Sequence, residues 1–353
     1  MAKESSGQTH SLGTAVWGAG WVAGEHLRAF SRNPHTSVVA VGSRTLDGAR
    51  RKMAQLQVDA TTCRAYDDLD ALLVDDRVNI VAICTPNFLH AENVIRAARA
   101  GKHIVIEKPP AIDLPSLHAM RDAVRHAGVK TIVSFVLRWN PLVRTIKALI
   151  ADGTLGDLVL LRADYWHHLT QAEWPGYRWA HTRAGGGSIM LAGGSHAVDA
   201  VRHLAGAGTD VVSVSARSGP VRPRGGYEWP GTSLALLEFA SGTLAEVSAT
   251  VDAYIPYVFN IEALGDRGSM RGNRLYTEKL PGQTGWAEIP TVLPDSGDVT
   301  HHAFQEEIDH FVDSILAGQE AAPNLEDAAK TTEICLAADL AAAERRTVTL
   351  PLA

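Results

Sequence analysis

The 353-residue sequence has few cysteines: Cys63, Cys84 and Cys335 are its only ones, and no CxxC pair occurs. That scarcity argues against a disulfide framework and a structural zinc site, and it points to a reducing, cytoplasmic setting. No uncharged apolar run reaches the roughly 18 residues a membrane-spanning helix needs. The polar start from Met1 to His10 lacks the apolar centre of a secretory signal. Positive charge is in short supply too. Lysine and arginine number 33 against 39 acidic residues, a formal net charge of −6, so no global positive field gathers phosphate backbones or anionic lipid. The expectation is a soluble chain with neither nucleic acid nor membrane partners. Internal repeats and low-complexity linkers are also absent. At roughly 100–200 residues per domain the length points to two domains, and 46% hydrophobic residues are enough for ordinary cores.

The patterning divides the chain near residue 137. Before it, β-branched runs at Thr14–Trp17, Ser37–Val41, Val78–Cys84, Lys102–Ile106 and Lys130–Leu137 alternate with amphipathic stretches. Ala23, Leu27 and Phe30 form one helical stripe, and Leu46, Ala49, Met53 and Leu56 another. One helix ends at Gly101. Another opens at Asp113, with Pro115 in its first turn, and ends at Gly128. This βα rhythm predicts a doubly wound parallel sheet over residues 11–137. Beyond it, Val159–Trp166, Val211–Ala216, Leu234–Phe239, Leu244–Val251 and Phe259–Leu264 follow one another as strands, with a hairpin at Ser241-Gly242 and a tight connection over Gly265–Gly272. Helices over Phe304–Leu316 and Leu325–Glu344 close the chain. The fold class is therefore α/β: an N-terminal Rossmann sheet, then an α+β domain over 138–353 with a large open, mainly antiparallel sheet. Its final helices are expected to pack back on the first domain.

Gly18-Ala19-Gly20-Trp21-Val22-Ala23 follows the first strand and opens a helix, which is the context that gives GxGxxA meaning. Gly18 permits the tight turn, Gly20 lets backbone approach a pyrophosphate, and Ala23 allows close packing of helix on strand. The free N–H groups of the helix start favour an anion. The second strand ends in Gly42-Ser43-Arg44, where an NAD-selective site usually has an acid. A hydroxyl and a guanidinium suit a 2′-phosphate, so NADP is favoured over NAD; an Arg44 stacked on adenine would accept either.

Val105-Ile106-Glu107-Lys108-Pro109-Pro110 puts a charged pair where a buried strand ends, the edge at which such sheets bind ligands. A desolvated lysine beside a nicotinamide would have its pKa lowered into the range useful for moving an alcohol's proton; the plain alternative is a surface Glu107–Lys108 salt bridge.

With these residues in view, the chain resembles the glucose-fructose oxidoreductase, inositol dehydrogenase and MocA-like (Gfo/Idh/MocA) oxidoreductases over nearly its whole length. The markers are Gly18 to Ala23, Thr85-Pro86-Asn87 with His90, Gly101-Lys102-His103 and Glu107-Lys108-Pro109. Arg138, Asn140-Pro141, Gly185-Gly186-Gly187, and His196 with Asp199 follow in order. The resemblance implies that Lys108 hydrogen-bonds the reacting hydroxyl and the nicotinamide ribose, and that its bond to Pro109 is cis. It implies cofactor contacts from Gly18, Gly20, Trp21, Val22, Ala23, Ser43, Arg44, Thr85, Pro86, Asn87, His90, Glu107, Lys108, Pro109 and Arg138. It also implies a proton-relaying histidine, His196, with an aspartate four residues before it. Here Ala192 stands at that spacing, and the stretch from the glycines to His196 is one residue longer than usual, so counting from the glycines puts Leu191 there instead. Neither supplies a carboxylate. Asp199, one helical turn beyond His196, is a candidate to orient it.

Tyr165-Trp166-His167-His168, Glu173-Trp174 and Tyr177-Arg178-Trp179 concentrate aromatic and polar groups suited to the faces and hydroxyls of a sugar, though such a cluster could equally cover sheet. The substrate-binding set is Lys108, Tyr165, Trp166, His167, Trp174, Arg178, Trp179, His196 and Asp199. No metal is expected at His167-His168 or His301-His302, because adjacent strand residues point apart. The expected activity is NAD(P)-dependent hydride exchange with a sugar, glycoside or polyol, with Lys108 and His196 catalytic. A redox-assisted glycosidase or lyase and a catalytically silent cofactor sensor are the alternatives. A sheet face free of helices predicts a homodimer or homotetramer.

Overall fold

The computed structural model describes residues 11–170, 175–206, 208–294 and 302–352. The first sheet is built from β1 (Leu12–Trp17), β2 (Thr36–Gly42), β3 (Arg64–Tyr66), β4 (Ile80–Ile83), β5 (His103–Ile106) and β6 (Thr131–Val133). All its pairings are parallel, in the order β3-β2-β1-β4-β5-β6. The helices α1 (Trp21–Arg32), α2 (Leu46–Gln55), α3 (Leu69–Leu73), α4 (His90–Arg99) and α5 (Leu114–Ala127) connect them. Sequence punctuation sets their ends. Asp113 caps α5 by accepting from the Ser116 N–H at 2.8 Å, and Gly128 closes it in the left-handed region. β3 has only three residues, exposed at Arg64 and buried at Tyr66, too short a run for a periodic signal, and the pattern missed it. The strand read over Lys130–Leu137 stops at Val133, and a 3-10 turn, Val136–Trp139, takes over and leads into the second half.

The second half comprises α6 (Pro141–Ala151), β7 (Leu158–Trp166), α7 (Arg183–Gly186), α8 (Ser195–Ala205), β8 (Val211–Ser218), β9 (Thr232–Phe239), β10 (Leu244–Thr250), β11 (Val258–Gly265), β12 (Gly268–Arg271), β13 (Arg274–Thr277), β14 (Ala287–Glu288), α9 (Phe304–Leu316), α10 (Leu325–Glu344) and β15 (Val348–Thr349). Its strands form a nine-stranded sheet in the order β14-β13-β12-β11-β7-β10-β9-β8-β15. Strands in sequence pair antiparallel, but β7 and β10 at the centre run parallel, because α8 returns the chain across the sheet before the β8–β10 meander begins. The glycine-flanked stretch 265–272 is also more than a turn, since it contains β12.

One sheet face packs on α8 and α10 through Leu161, Val247, Val198, Val201, Cys335 and Ala338. The other face carries exposed leucines. α9 lies on α1 of the first half, burying Ile308, Phe311 and Val312 with Phe30 and Leu27, each such side chain worth roughly 1.5–3 kcal/mol when fully buried. The start of α10 joins the opposite face through Leu325, Ala328 and Ala329, and the Pro323 carbonyl accepts from the Val133 N–H beside β6. The three cysteines are free and buried. No helix among the described residues is long and apolar enough to cross a membrane.

Candidate active site

β1 and β4 are neighbours at the point where strand order reverses, and a doubly wound sheet opens a crevice there at its carboxyl edge. Gly18 turns out of β1 with φ +125°, and a Cβ on it would stand 2.3 Å from the Cys84 carbonyl oxygen. Only glycine lets these loops lie so close. Gly20 opens α1, and no atom lies within 4 Å of where its Cβ would be. The first turn of α1 carries neither an acid nor a capping side chain, so its N–H groups beyond Trp21 are left for an anion such as a pyrophosphate. The Tyr177 hydroxyl reaches this mouth and accepts from the Trp21 N–H. Ala23 is fully buried, Trp21 is 41% exposed, and Val22 is half-buried between them. At the end of β2, Ser43 is half-buried and Arg44 exposed, just before Thr45 caps α2. These residues fit a dinucleotide.

The loops after β4 and β5 are tied together by His90. Its buried ring places Nδ1 2.8 Å from the Pro109 carbonyl and Nε2 2.8 Å from the Thr85 carbonyl. Burial lowers its pKa, and the two carbonyls, which favour the charged ring, offset this only in part. Asn93 donates to the Thr85 hydroxyl at 3.0 Å. Pro86 precedes a single 3-10 turn, Asn87–Leu89, in which Asn87 is buried. The Lys108–Pro109 bond is cis.

Glu107 and Lys108 do not form a surface salt bridge. The Glu107 carboxylate is buried against His26 Nε2 at 2.8 Å and also accepts from the Lys108 backbone N–H at 3.2 Å. Burial pushes its pKa up, but the His26 contact more than offsets this and holds it below the usual carboxylate range. The Lys108 ammonium donates to the Ala192 carbonyl at 3.0 Å, and burial lowers its pKa while Glu107 partly restores it. His196, from the start of α8, is 6% exposed. It lies parallel to Tyr165 at 6.3 Å and edge-on to Phe135 at 6.1 Å. Its pKa is well below 6.5, first through burial and then through Lys108 and His302, and its Nδ1 has no hydrogen-bond partner among the described residues. An imidazole and a lysine, both with lowered pKa, therefore lie close enough to act on one another.

The period of β7 sorts the aromatic segment. Tyr165 and His167 turn inward, and the Tyr257 ring lies 5.4 Å from each. Trp166 points the other way, donating to the Ser248 hydroxyl at 2.8 Å on the outward face, and is not brought together with Tyr165 and His167. Arg178 is exposed and Trp179 half-buried beside Tyr177. His181 stacks on Tyr227 at 4.3 Å as part of the packing. Glu173, Trp174 and His301 lie outside the described residues. Asp199 does not orient His196. Its buried carboxylate takes two hydrogen bonds from Arg138, at 2.7 and 2.6 Å, and one from Thr331 at 3.1 Å. Arg138 also meets Asp327 at 2.7 Å, so its guanidinium serves the domain crossing in this structure.

The sequence reading missed His26, Tyr257 and Glu307. Glu307, fully buried on α9, accepts from Ser134 at 2.8 Å, and burial pushes its pKa well up. His302 had been noticed only as half of a histidine pair; its ring lies 6.0 Å from Tyr257. Each comes from an element remote in sequence and carries no local pattern. No group of three metal-ligating side chains occurs among the described residues.

The family profile described as "Oxidoreductase family, NAD-binding Rossmann fold" matches residues 12–135, and that of the "GFO/IDH/MocA C-terminal domain" matches residues 143–271. Inositol 2-dehydrogenase 1 of Paenarthrobacter aurescens is 30% identical over 93% of this chain and 92% of its own. Levoglucosan dehydrogenase of Pseudarthrobacter phenanthrenivorans is 31% identical over about half of each, 53%. A solved levoglucosan dehydrogenase, in complex with NADH and L-sorbose, shares the fold with a TM-score of 0.85 at 23% identity, covering 98% of this chain and 100% of that one. The chain belongs to the Gfo/Idh/MocA oxidoreductase family, with an NAD-binding Rossmann fold.

Proposed function

We propose that this chain is an NAD(P)-dependent dehydrogenase or ketoreductase acting on a CH–OH group of a sugar, glycoside or polyol. The observation that carries the reading is a half-buried lysine, Lys108, close to a buried histidine of lowered pKa, His196, at the carboxyl edge that also holds the glycine turn before α1. When bound, the nicotinamide supplies the hydride acceptor or donor. Lys108, as its free amine, takes the hydroxyl proton as the C–H hydride departs, and passes it to solvent; in reduction it returns a proton to the carbonyl oxygen. One alcohol thus gives one carbonyl, one reduced nucleotide and one proton. His196 offers a hydrogen bond to the reacting or neighbouring hydroxyl. Tyr165, His167, Arg178 and Trp179 shape the pocket.

Ser43 and Arg44 favour NADP, through charge-assisted hydrogen bonds to a 2′-phosphate. A second copy of the chain covers the outward sheet face, where Leu234, Leu236 and Leu244 are 44%, 57% and 53% exposed, as a homodimer or homotetramer. The direct test is absorbance of reduced nicotinamide with NADP or NAD over inositols, pyranoses and anhydro sugars. Substrate-dependent reduction, stronger with NADP, is expected. Sugar conversion without net reduced nucleotide would replace the reading with redox-assisted elimination, and nucleotide binding without turnover with a sensor.

A further inference from the structure

The helix leading to His196 is irregular. Met190–Gly194 forms one π turn, and α8 then continues from Ser195. A π turn absorbs a single extra residue by closing i→i+5 hydrogen bonds, leaving the helix on either side in phase, and such turns gather at functional sites. The excess residue that the resemblance implies between Gly187 and His196 would be taken up here. Two residues of the turn show what it brings together. Leu191 is 1% exposed in the core of the second half, and its Cδ1 would lie 2.7 Å from a Cβ on Gly187. Ala192, the next residue, is half-buried and presents its carbonyl to the Lys108 ammonium at 3.0 Å. Counting back from His196 thus finds the residue at the lysine, and counting from the glycines finds a core leucine.

We propose that this π turn is the positioning element for Lys108: it seats the neutral Ala192 carbonyl against the ammonium, in the place where the resemblance implies a carboxylate, and so orients the lysine by an uncharged acceptor. The inference rests on the reading of Lys108 as acid and base. The charged and titratable groups facing Lys108 are Glu107 of its own turn, His90 from α4 and His196 from α8. Glu107, engaged by His26, raises the lysine's pKa only in part against the larger effect of burial, and burial lowers the pKa of both rings.

Ala192→Asp adds a carboxylate on the residue whose carbonyl holds the ammonium. An opposite charge within ~4–6 Å raises a lysine's pKa, here by about one unit or more. The pH at which Lys108 becomes acetylated by acetic anhydride, read by mass spectrometry on nucleotide-free protein, should rise by that amount. The acidic limb of kcat/KM for alcohol oxidation should shift with it. Ala192→Cys gives a second route, carboxymethylated with iodoacetate or carbamidomethylated with iodoacetamide; only the anionic adduct should shift the profile. Equal profiles for parent, Asp variant and both adducts, each with native circular dichroism, would overturn the inference. Failure of the underlying reading is distinguishable, because the acetylation profile needs no turnover.

Discussion

Arg138→Met tests whether this arginine holds the fold or the cofactor. The substitution removes three contacts of 2.6–2.7 Å, two to Asp199 and one to Asp327. Asp327 keeps Arg202 at 2.9 Å, but Asp199, 2% exposed, keeps only the Thr331 hydroxyl. Removing one partner of a buried pair costs about 3–5 kcal/mol because the other charge is stranded. The melting temperature should fall on the order of 5–10 °C. Thermal and urea unfolding of nucleotide-free protein measure it. Arg138→Met/Asp199→Asn should regain part of the loss, since no stranded charge remains. Nucleotide Kd, by calorimetry, should stay within a few-fold of the parent. An unchanged unfolding midpoint with sharply weaker nucleotide binding would refute the structural role and put the guanidinium on the cofactor.

Other outcomes follow from the same physics. Gly20→Ala should leave the melting temperature at the parental value, since its Cβ meets nothing within 4 Å, yet weaken nucleotide binding at least about tenfold by blocking the backbone's approach to pyrophosphate; equal affinities would count against the cradle. His203 is held down to about 4 by burial, with Arg138 adding to it, from an ordinary 6.5. The unfolded state therefore takes up that proton first, and stability falls as pH drops from 6.5, by about 3 kcal/mol near pH 4. Urea midpoints at stepped pH should show this slope, and His203→Gln should flatten it; a parent without the slope would contradict the argument. Leu236→Glu should convert a dimer or tetramer to a monomer in light scattering, whereas a monomeric parent at micromolar concentration would remove the proposed partner.

What the sequence revealed depended on whether the cause was local. The parallel sheet was legible because β-branched runs, caps and glycines repeat a short-range pattern, as at Asp113 and Gly128. Lys108 and Gly18 were legible because strand ends fix their position. The parallel β7–β10 pair was not, since it is set by where the meander returns. Composition drew the whole aromatic run together, while strand alternation sends Trp166 to the opposite face from Tyr165. His26 and Glu307 come from opposite ends of the chain, and only tertiary packing brings both toward Glu107. The one-residue excess before His196 was countable beforehand, but its meaning required seeing the π turn.

The most direct test of the account is steady-state turnover of Lys108→Met beside the parent, on whichever sugar or polyol reduces the nucleotide. Removing the proton-transferring group should lower kcat/KM by about 10²–10⁴-fold, with nucleotide Kd and melting temperature close to parental. A methionine variant that turns over as fast as the parent would contradict the assignment of Lys108.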